Sequence, residues 1–282
     1  MKSDLLALAA IALWGSLATL GVSLAHVPPF LLTGLSLLIG SLIALPLSRF
    51  RLSEWRVPLP TLALGLYGLF GYHFLLFLAF RHAPPVEANL VNYLWPLGIV
   101  IMAPLFLPGM RLHAVHVISA LVGFAGAALA ILGKPGTAPG LSLQFEWGYV
   151  LALAAAFIWS SYSLMTRRVA VFPTSAIGSF AALSGLLALA CHTWLEPATP
   201  LSTHDWLLIA AMGLGPLGGA FFLWDAALKT GDPRKIGLLS FLTPLLSTGM
   251  LLITQGKPLT WHVALAAALI IGAAVIGSRA RD

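Results

Sequence analysis

Apolar stretches of about twenty residues, separated by short turns rich in polar residues, glycine and proline, run along the whole chain. A helix needs ~20 mainly apolar residues to cross the ~30 Å hydrocarbon core of a bilayer. The pattern predicts ten spans, near residues 4–25, 29–48, 59–81, 85–107, 112–132, 147–167, 174–195, 205–228, 234–254 and 259–278. The longest connection, 133–146, leaves no room for a soluble domain.

The second half of the chain repeats the first. Collinear matches, at offsets of 145, 148 and 146 residues, pair the run from Leu6 to Trp14 with Leu151 to Trp159, Pro85 to Leu97 with Pro233 to Leu245, and His116-Val117 with His262-Val263. Five spans per repeat is an odd number, so the second repeat enters the membrane from the opposite side, as in many secondary transporters. We therefore predict a five-helix repeat over 1–135, a linker over 136–145 and an inverted five-helix repeat over 146–282.

Composition and charge fit an all-α polytopic membrane protein. Hydrophobic residues make up 59% of the chain, charged residues only 9%, and the mean hydropathy is +0.96, whereas soluble domains carry about 25% charged residues. If the N-terminus is cytoplasmic, twelve of the fifteen lysines and arginines fall on cytoplasmic segments, which favours N-in and C-in. The basic residues are scattered in short loops and form no patch, so the net charge of +6 does not indicate nucleic acid binding.

Motifs of known enzymes are missing from the sequence. It contains no Gly-x-x-x-x-Gly-Lys-Ser/Thr loop, no His-Glu-x-x-His and no Gly-x-Ser-x-Gly. His113 and His116 are three residues apart, but they begin a helix at the predicted cytoplasmic surface without a nearby cysteine or carboxylate, which is more typical of interfacial histidines than of a metal site. We expect no enzyme activity, no cofactor and no metal.

Polar and aromatic side chains interrupt several spans where lipid offers no hydrogen-bond partner. Asn89, Asn92 and Tyr93 share one face of span four, and the repeat pairs Asn92 and Tyr93 with Ser240 and Phe241. Such residues either connect helices or line a cavity, and amides together with deep aromatic rings favour a cavity. The predicted solute contacts are Tyr72, His73, Asn92, Tyr93, Trp95, Trp159, Ser240 and Phe241.

Glycine and proline cluster in the spans that would surround this cavity. They either let helices approach closely or loosen the helical hydrogen bonds so that a span can bend. The predicted hinge positions are Gly65, Gly68, Gly71, Pro96, Gly215, Pro216, Gly218, Gly219 and Pro244.

The runs Glu87-Ala-Asn-Leu-Val-Asn-Tyr-Leu-Trp-Pro96, Ala156-Phe-Ile-Trp159 and Ser240-Phe-Leu-Thr-Pro244 resemble the EamA-type branch of the drug/metabolite transporter superfamily. Within it, the chain is most similar to bacterial exporters of aromatic amino acids. The resemblance covers essentially the whole chain. It implies export of Phe, Tyr and Trp across a bacterial inner membrane by alternating access, with Tyr72, Tyr93, Trp95 and Trp159 as cavity residues. His73 stands where an acidic residue is expected in enteric relatives.

Other readings stay open at this point. The same fold could export another small metabolite or a drug, while a channel or an intramembrane enzyme would need a ring of charges or a catalytic motif. Facilitated diffusion needs no proton relay, whereas proton antiport would need a titrating group such as His73 or Glu87. The expected partners are an amino acid and the lipid bilayer. The oligomeric state is undetermined, with a monomer as the working expectation.

Overall fold

A computed structural model describes residues 2–132, 146–254, 256 and 261–279 of the chain. Its α-helices are α1 (Lys2–Gly15), α2 (Leu17–Ser23), α3 (Pro29–Ser41), α4 (Ala44–Leu47), α5 (Leu59–Leu66), α6 (Tyr72–Arg81), α7 (Pro85–Asn92), α8 (Trp95–Phe106), α9 (Ala114–Leu132), α10 (Trp147–Met165), α11 (Ile177–Leu195), α12 (Thr203–Leu214), α13 (Gly219–Thr230), α14 (Pro233–Ser240), α15 (Leu242–Thr254) and α16 (Trp261–Arg279). Short 3₁₀ turns cover Leu52–Trp55 and Thr174–Ala176.

The prediction of an all-helical, polytopic membrane protein is confirmed at this level, since the described residues form helices and turns and no strand. In the described part of the chain, nine helical stretches are long and apolar enough to cross a membrane. The tenth predicted span falls on α16, whose apolar part, Trp261–Gly277, is shorter than the other nine. The count of ten and the inverted repeats stay predictions, and the linker 136–145 lies outside the described residues.

Most of the predicted hinge residues lie where the regular α-helical geometry of a span is interrupted. In span three a π-helical turn, Tyr67–Gly71, separates α5 from α6 and contains Gly68 and Gly71. In span eight α12 ends at Leu214 and α13 begins at Gly219, so Gly215, Pro216 and Gly218 form the break. Pro96 is the second residue of α8 and Pro244 the third of α15, because proline fits the first turn of a helix, where its missing N–H is not needed.

Small residues let the helices pack closely. The pair α3 and α11 and the pair α9 and α16 form the most extensive helix contacts among the described residues. A Cβ added at Gly34 of α3 would lie 3.0 Å from the carbonyl oxygen of Gly185 on α11. A Cβ added at Gly126 of α9 would lie 3.1 Å from the carbonyl oxygen of Ala266 on α16. Without a hydrophobic driving force between helices in lipid, such close backbone approach supplies much of the packing energy.

A buried carboxylate connects three spans at one end of the bundle. The side chain of Glu196 is only 1% exposed and follows directly on α11. It accepts hydrogen bonds from the backbone N–H groups of Phe30 and Leu31, at 3.0 and 3.2 Å, and so satisfies donors in the first turn of α3. It also pairs with Arg81 at the end of α6, at 3.3 Å, and with His192 at 3.0 Å. Glu196 therefore holds the start of α3 and the ends of α6 and α11 together.

We predict that Gly68→Ala destabilises the protein and that Gly71→Ala, three residues further along the same π turn, does not. A Cβ at Gly68 would lie 2.3 Å from the ring of Tyr162, whereas a Cβ at Gly71 would meet Ile158 at an ordinary 3.5 Å. Overpacking of this kind costs about 1–3 kcal/mol. Thermal unfolding of the two purified variants should show a lowered midpoint for Gly68→Ala alone, and equal midpoints would contradict close packing at Gly68.

Candidate functional site

A cavity of about 370 Å³ opens among the broken spans. Its walls come from the first four spans and from α10, α12, the α12–α13 break, α13 and α15. The lining residues are Trp14, Leu17, Gly21, Leu32, Thr33, Tyr72, His73, Leu76, Phe77, Phe80, Asn89, Asn92, Tyr93, Trp95, Trp159, Met212, Leu217, Phe221 and Thr243. This volume suits a ligand of about the size of an amino acid, and the lining is mainly apolar with a few polar groups.

Six of the eight predicted contact residues line this cavity: Tyr72, His73, Asn92, Tyr93, Trp95 and Trp159. Ser240 and Phe241 do not. The hydroxyl of Ser240 donates to the carbonyl oxygen of Gly237 at 2.6 Å, and the side chain is fully buried. Phe241 fills the space left by Gly123, where an added Cβ would lie 2.6 Å from its ring. Helix packing uses both residues, and Thr243 reaches the cavity from the same span instead.

The break in span four explains how Tyr93 and Trp95 both reach the cavity. Two residues on a regular helix point about 200° apart, so they cannot share a narrow face. Here α7 ends at Asn92 and α8 begins at Trp95. Tyr93 and Leu94 form the turn between them, with the N–H of Leu94 bonded to the carbonyl oxygen of Val91 at 3.0 Å.

Indole rings form the floor of the cavity. The ring centroids of Trp14 and Trp159 are 5.8 Å apart at 78°, and those of Trp14 and Trp95 are 6.2 Å apart at 80°. Such edge-to-face pairs are the preferred geometry of aromatic rings. Below them lies Trp224, 5.6 Å from Trp95 and buried at 1% exposure, with its Nε1 donating to the hydroxyl of Ser163 at 3.1 Å. The floor is therefore supported from beneath.

Few polar residues line the cavity, and two of them carry a buried polar atom without a hydrogen-bond partner. Asn92 Nδ2 donates to the hydroxyl of Tyr72 at 3.0 Å, while Asn92 Oδ1 is buried without a hydrogen bond. Thr243 Oγ1 is likewise buried and unpartnered. His73 Nδ1 bonds the carbonyl oxygen of Leu69 at 2.6 Å, which fixes the orientation of the ring. Because buried polar atoms without partners are uncommon in native proteins, Asn92 and Thr243 are suited to binding a solute.

The cavity opens away from the positively charged end of the bundle. Gly21, Leu32, Phe80 and Asn89 line it, and these residues lie next to the loops 24–28 and 82–84. We call the opposite end the basic end and define it by Arg111, Arg167, Arg168, Arg234 and Lys235. No residue of the basic end lines the cavity.

Hydrogen bonds between spans close the basic end. Lys235 on α14 pairs with Asp4 on α1 at 2.8 Å. Arg234 Nη1 donates to the carbonyl oxygen of Arg111 at 2.6 Å. Two further bonds connect Arg167 to the carbonyl oxygen of Gly231 and Arg168 to that of Phe106. With the indole floor above it, this end forms a thick closed layer.

Several lining residues escaped the sequence analysis. Phe221, Leu217 and Met212 are apolar residues of apolar spans, so nothing in the sequence separates a cavity wall from a lipid-facing or packed position. Trp14 could have been found, because the repeat pairs it with Trp159. Asn89 shares a helix face with Asn92, which is a second usable signal. Among the residues that the structure describes, no group of three or more His, Cys, Asp or Glu side chains could hold a metal ion.

Comparison with known families gives one clear match. The sequence profile of the EamA-like transporter family matches residues 1–132 and again residues 146–279. The two matches together cover most of the chain, and the segment 133–145 between them contains the predicted linker 136–145.

Individual relatives match over the full length. The chain is 42% identical to the aromatic amino acid exporter YddG of Ancylobacter novellus, over 98% of this chain and 97% of the relative. It is 26% identical to the aromatic amino acid exporter YddG of Escherichia coli, over 98% of this chain and 96% of the relative. A crystal structure of a protein 41% identical in sequence superposes with a TM-score of 0.92, covering 99% of this chain and 96% of the other.

Proposed function

The chain belongs to the EamA-like transporter family, and we propose that it exports aromatic amino acids by alternating access through the cavity described above. It is a multi-pass protein of the bacterial inner membrane. The observation that carries the proposal is the cavity itself, which is the size of an amino acid, has an indole floor and is closed at the basic end. Two full-length relatives named as aromatic amino acid exporters support it.

We assign the chain ten membrane-spanning helices in two inverted five-helix repeats, 1–135 and 146–282, joined by the linker 136–145. The collinear sequence matches and the two family matches support this division. The positive residues of the basic end then face the cytoplasm, with both termini inside. In that orientation the cavity opens to the outside, so the structure corresponds to an outward-facing state.

In the proposed site, Tyr72, His73, Asn92, Tyr93 and Trp159 contact the solute, and Trp95 completes the indole floor. The aromatic side chain of the solute lies on the indole floor, and the ammonium group of the solute faces Asn92. Reaching the inward-facing state requires the basic end to open. The interruptions of α-helical geometry near Gly68, Pro96, Gly218 and Pro244 are the places where a helix can bend. The proposal includes no chemical step, cofactor or metal.

The test is transport of labelled Phe, Leu and Lys into proteoliposomes, with and without a pH gradient. We expect saturable Phe uptake that exceeds Leu uptake, because the lining offers aromatic faces, and little Lys uptake, because the described lining residues include no carboxylate to pair with a second ammonium group. Leu uptake equal to Phe uptake would indicate a metabolite exporter of the same fold with another solute. Stimulation by a pH gradient would indicate proton antiport rather than facilitated diffusion.

A further inference from the structure

No permanent cation stands among the described lining residues of the cavity, and His73 is the one of them that could become positively charged. Among these described residues there is no Lys, Arg, Asp or Glu. Burying a carboxylate without a cation or several hydrogen-bond donors is strongly unfavourable. An amino acid carries both a carboxylate and an ammonium group, so the lining can favour only the charge for which it holds partners.

The free polar atoms of the lining are suited to the ammonium group. Asn92 Nδ2 already donates to Tyr72, which leaves Oδ1, a pure acceptor, buried without a partner. His73 Nδ1 must donate, because its partner, the carbonyl oxygen of Leu69, can only accept. In the neutral imidazole, Nε2 is then an acceptor. Thr243 Oγ1, which has no partner, can accept as well.

The aromatic lining adds to the same preference. Trp14, Trp95 and Trp159 form the floor, and Tyr72, Tyr93 and Phe221 stand around it. The face of an aromatic ring attracts a cation and repels an anion, most strongly in a site with little water. Acceptor atoms and aromatic faces therefore both select a positive group attached to an apolar ring.

We propose that the cavity recognises its solute by the ammonium group and the aromatic ring alone, and that it therefore also transports aromatic monoamines, which have no carboxylate. The inference rests on the proposed function, because it concerns the same cavity. The carboxylate of an amino acid stays hydrated at the open mouth, near Asn89 and Gly21. Removing it leaves the contacts inside the cavity unchanged.

The test measures how well four compounds inhibit uptake of labelled Phe into proteoliposomes. They are unlabelled Phe, 2-phenylethylamine without the carboxylate, phenylalaninamide with a neutral amide, and 3-phenylpropionate without the ammonium group. We expect the amine and the amide to inhibit within about threefold of Phe, and 3-phenylpropionate to inhibit at least about tenfold more weakly. Uptake of labelled 2-phenylethylamine at mildly acid pH, corrected with protein-free liposomes, should be saturable.

Variants distinguish the role of the polar atoms. Asn92→Asp places a negative charge at the proposed ammonium site, so it should strengthen inhibition by the amine about threefold or more relative to 3-phenylpropionate. Thr243→Val keeps the shape of the side chain and removes its hydroxyl, so it should weaken inhibition by the amine. This variant tests the inference if Asn92→Asp does not fold.

Two results would overturn the inference about amines, and a third would refute the proposed function on which it rests. Strong inhibition by 3-phenylpropionate together with weak inhibition by the amine would overturn the inference, and would place the carboxylate at the N-termini of α8 and α15. Inhibition by the amine without saturable uptake would also overturn it, since the amine would bind without being transported. In both cases Phe transport, and with it the proposed function, would stand. Absence of Phe uptake would instead refute the proposed function.

Discussion

Trp159→Ala should abolish most Phe and Trp transport while reducing transport of a small solute such as Thr much less. Trp159 lies at the centre of the indole floor, with its ring centroid 5.8 Å from that of Trp14, 5.3 Å from Tyr72 and 5.6 Å from Phe221. Aromatic pairs contribute ~0.5–1.5 kcal/mol beyond burial. Trp159 supplies one such ring to a bound aromatic solute, so its loss predicts a fall in apparent affinity of several-fold to about tenfold.

The truncation also removes a large buried side chain, since Trp159 is 3% exposed. Replacing a buried Trp by Ala costs about 3–5 kcal/mol of stability, so rates must be normalised to folded protein. Phe157→Ala is the matched control, because Phe157 lies on the same helix with 53% of its surface exposed. Trp159→Phe should recover part of the Phe transport. Equal losses for Phe and Thr in Trp159→Ala would show that Trp159 only holds helices together.

The sequence predicted the membrane spans and much of the cavity because lipid restricts where polar residues can lie. Asn92 and His73 stand out in an apolar span, and both line the cavity. Phe221 carries no such signal, because the sequence does not show whether an apolar residue of a membrane helix faces lipid, another helix or a cavity. The position of Phe221 follows only from the packing of α13 against α1, which places the ring centroids of Phe221 and Trp14 6.2 Å apart.

Two residues that the internal repeat pairs do not always have the same surroundings. The repeat paired Tyr93 with Phe241, but Tyr93 lines the cavity and Phe241 packs against Gly123 between α14 and α9. Corresponding positions of two repeats share backbone geometry, whereas the neighbour of each side chain depends on residues that the repeats do not share. Here the absent side chain of Gly123 on α9 creates the space that Phe241 fills.

Two Lys–Asp pairs near the basic end differ in burial, and we expect their loss to have very different effects on stability. Lys229 and Asp225 on α13 are 2.6 Å apart, and the Asp225 side chain is 2% exposed. Asp225 Oδ2 also accepts from the hydroxyl of Thr174, at 2.7 Å, which connects α13 to the start of span seven. Lys235 and Asp4 are 2.8 Å apart, but their side chains are 36% and 24% exposed.

Asp225→Ala should therefore destabilise the protein by roughly 3 kcal/mol, the lower end of the range for breaking a buried pair, because Lys229 is 24% exposed and can turn toward water. Asp4→Ala should cost about 0–1 kcal/mol, as exposed pairs do. The measurement is reversible denaturation of both variants in the same detergent, with Asp225→Asn as a third. Asn can keep the hydrogen bond to Thr174 but loses the charge opposite Lys229, so Asp225→Asn should fall between the two. If Asp4→Ala proved as harmful as Asp225→Ala, burial would not determine the strength of these pairs, and the partly exposed Lys235–Asp4 pair would contribute as much to stability as the buried one.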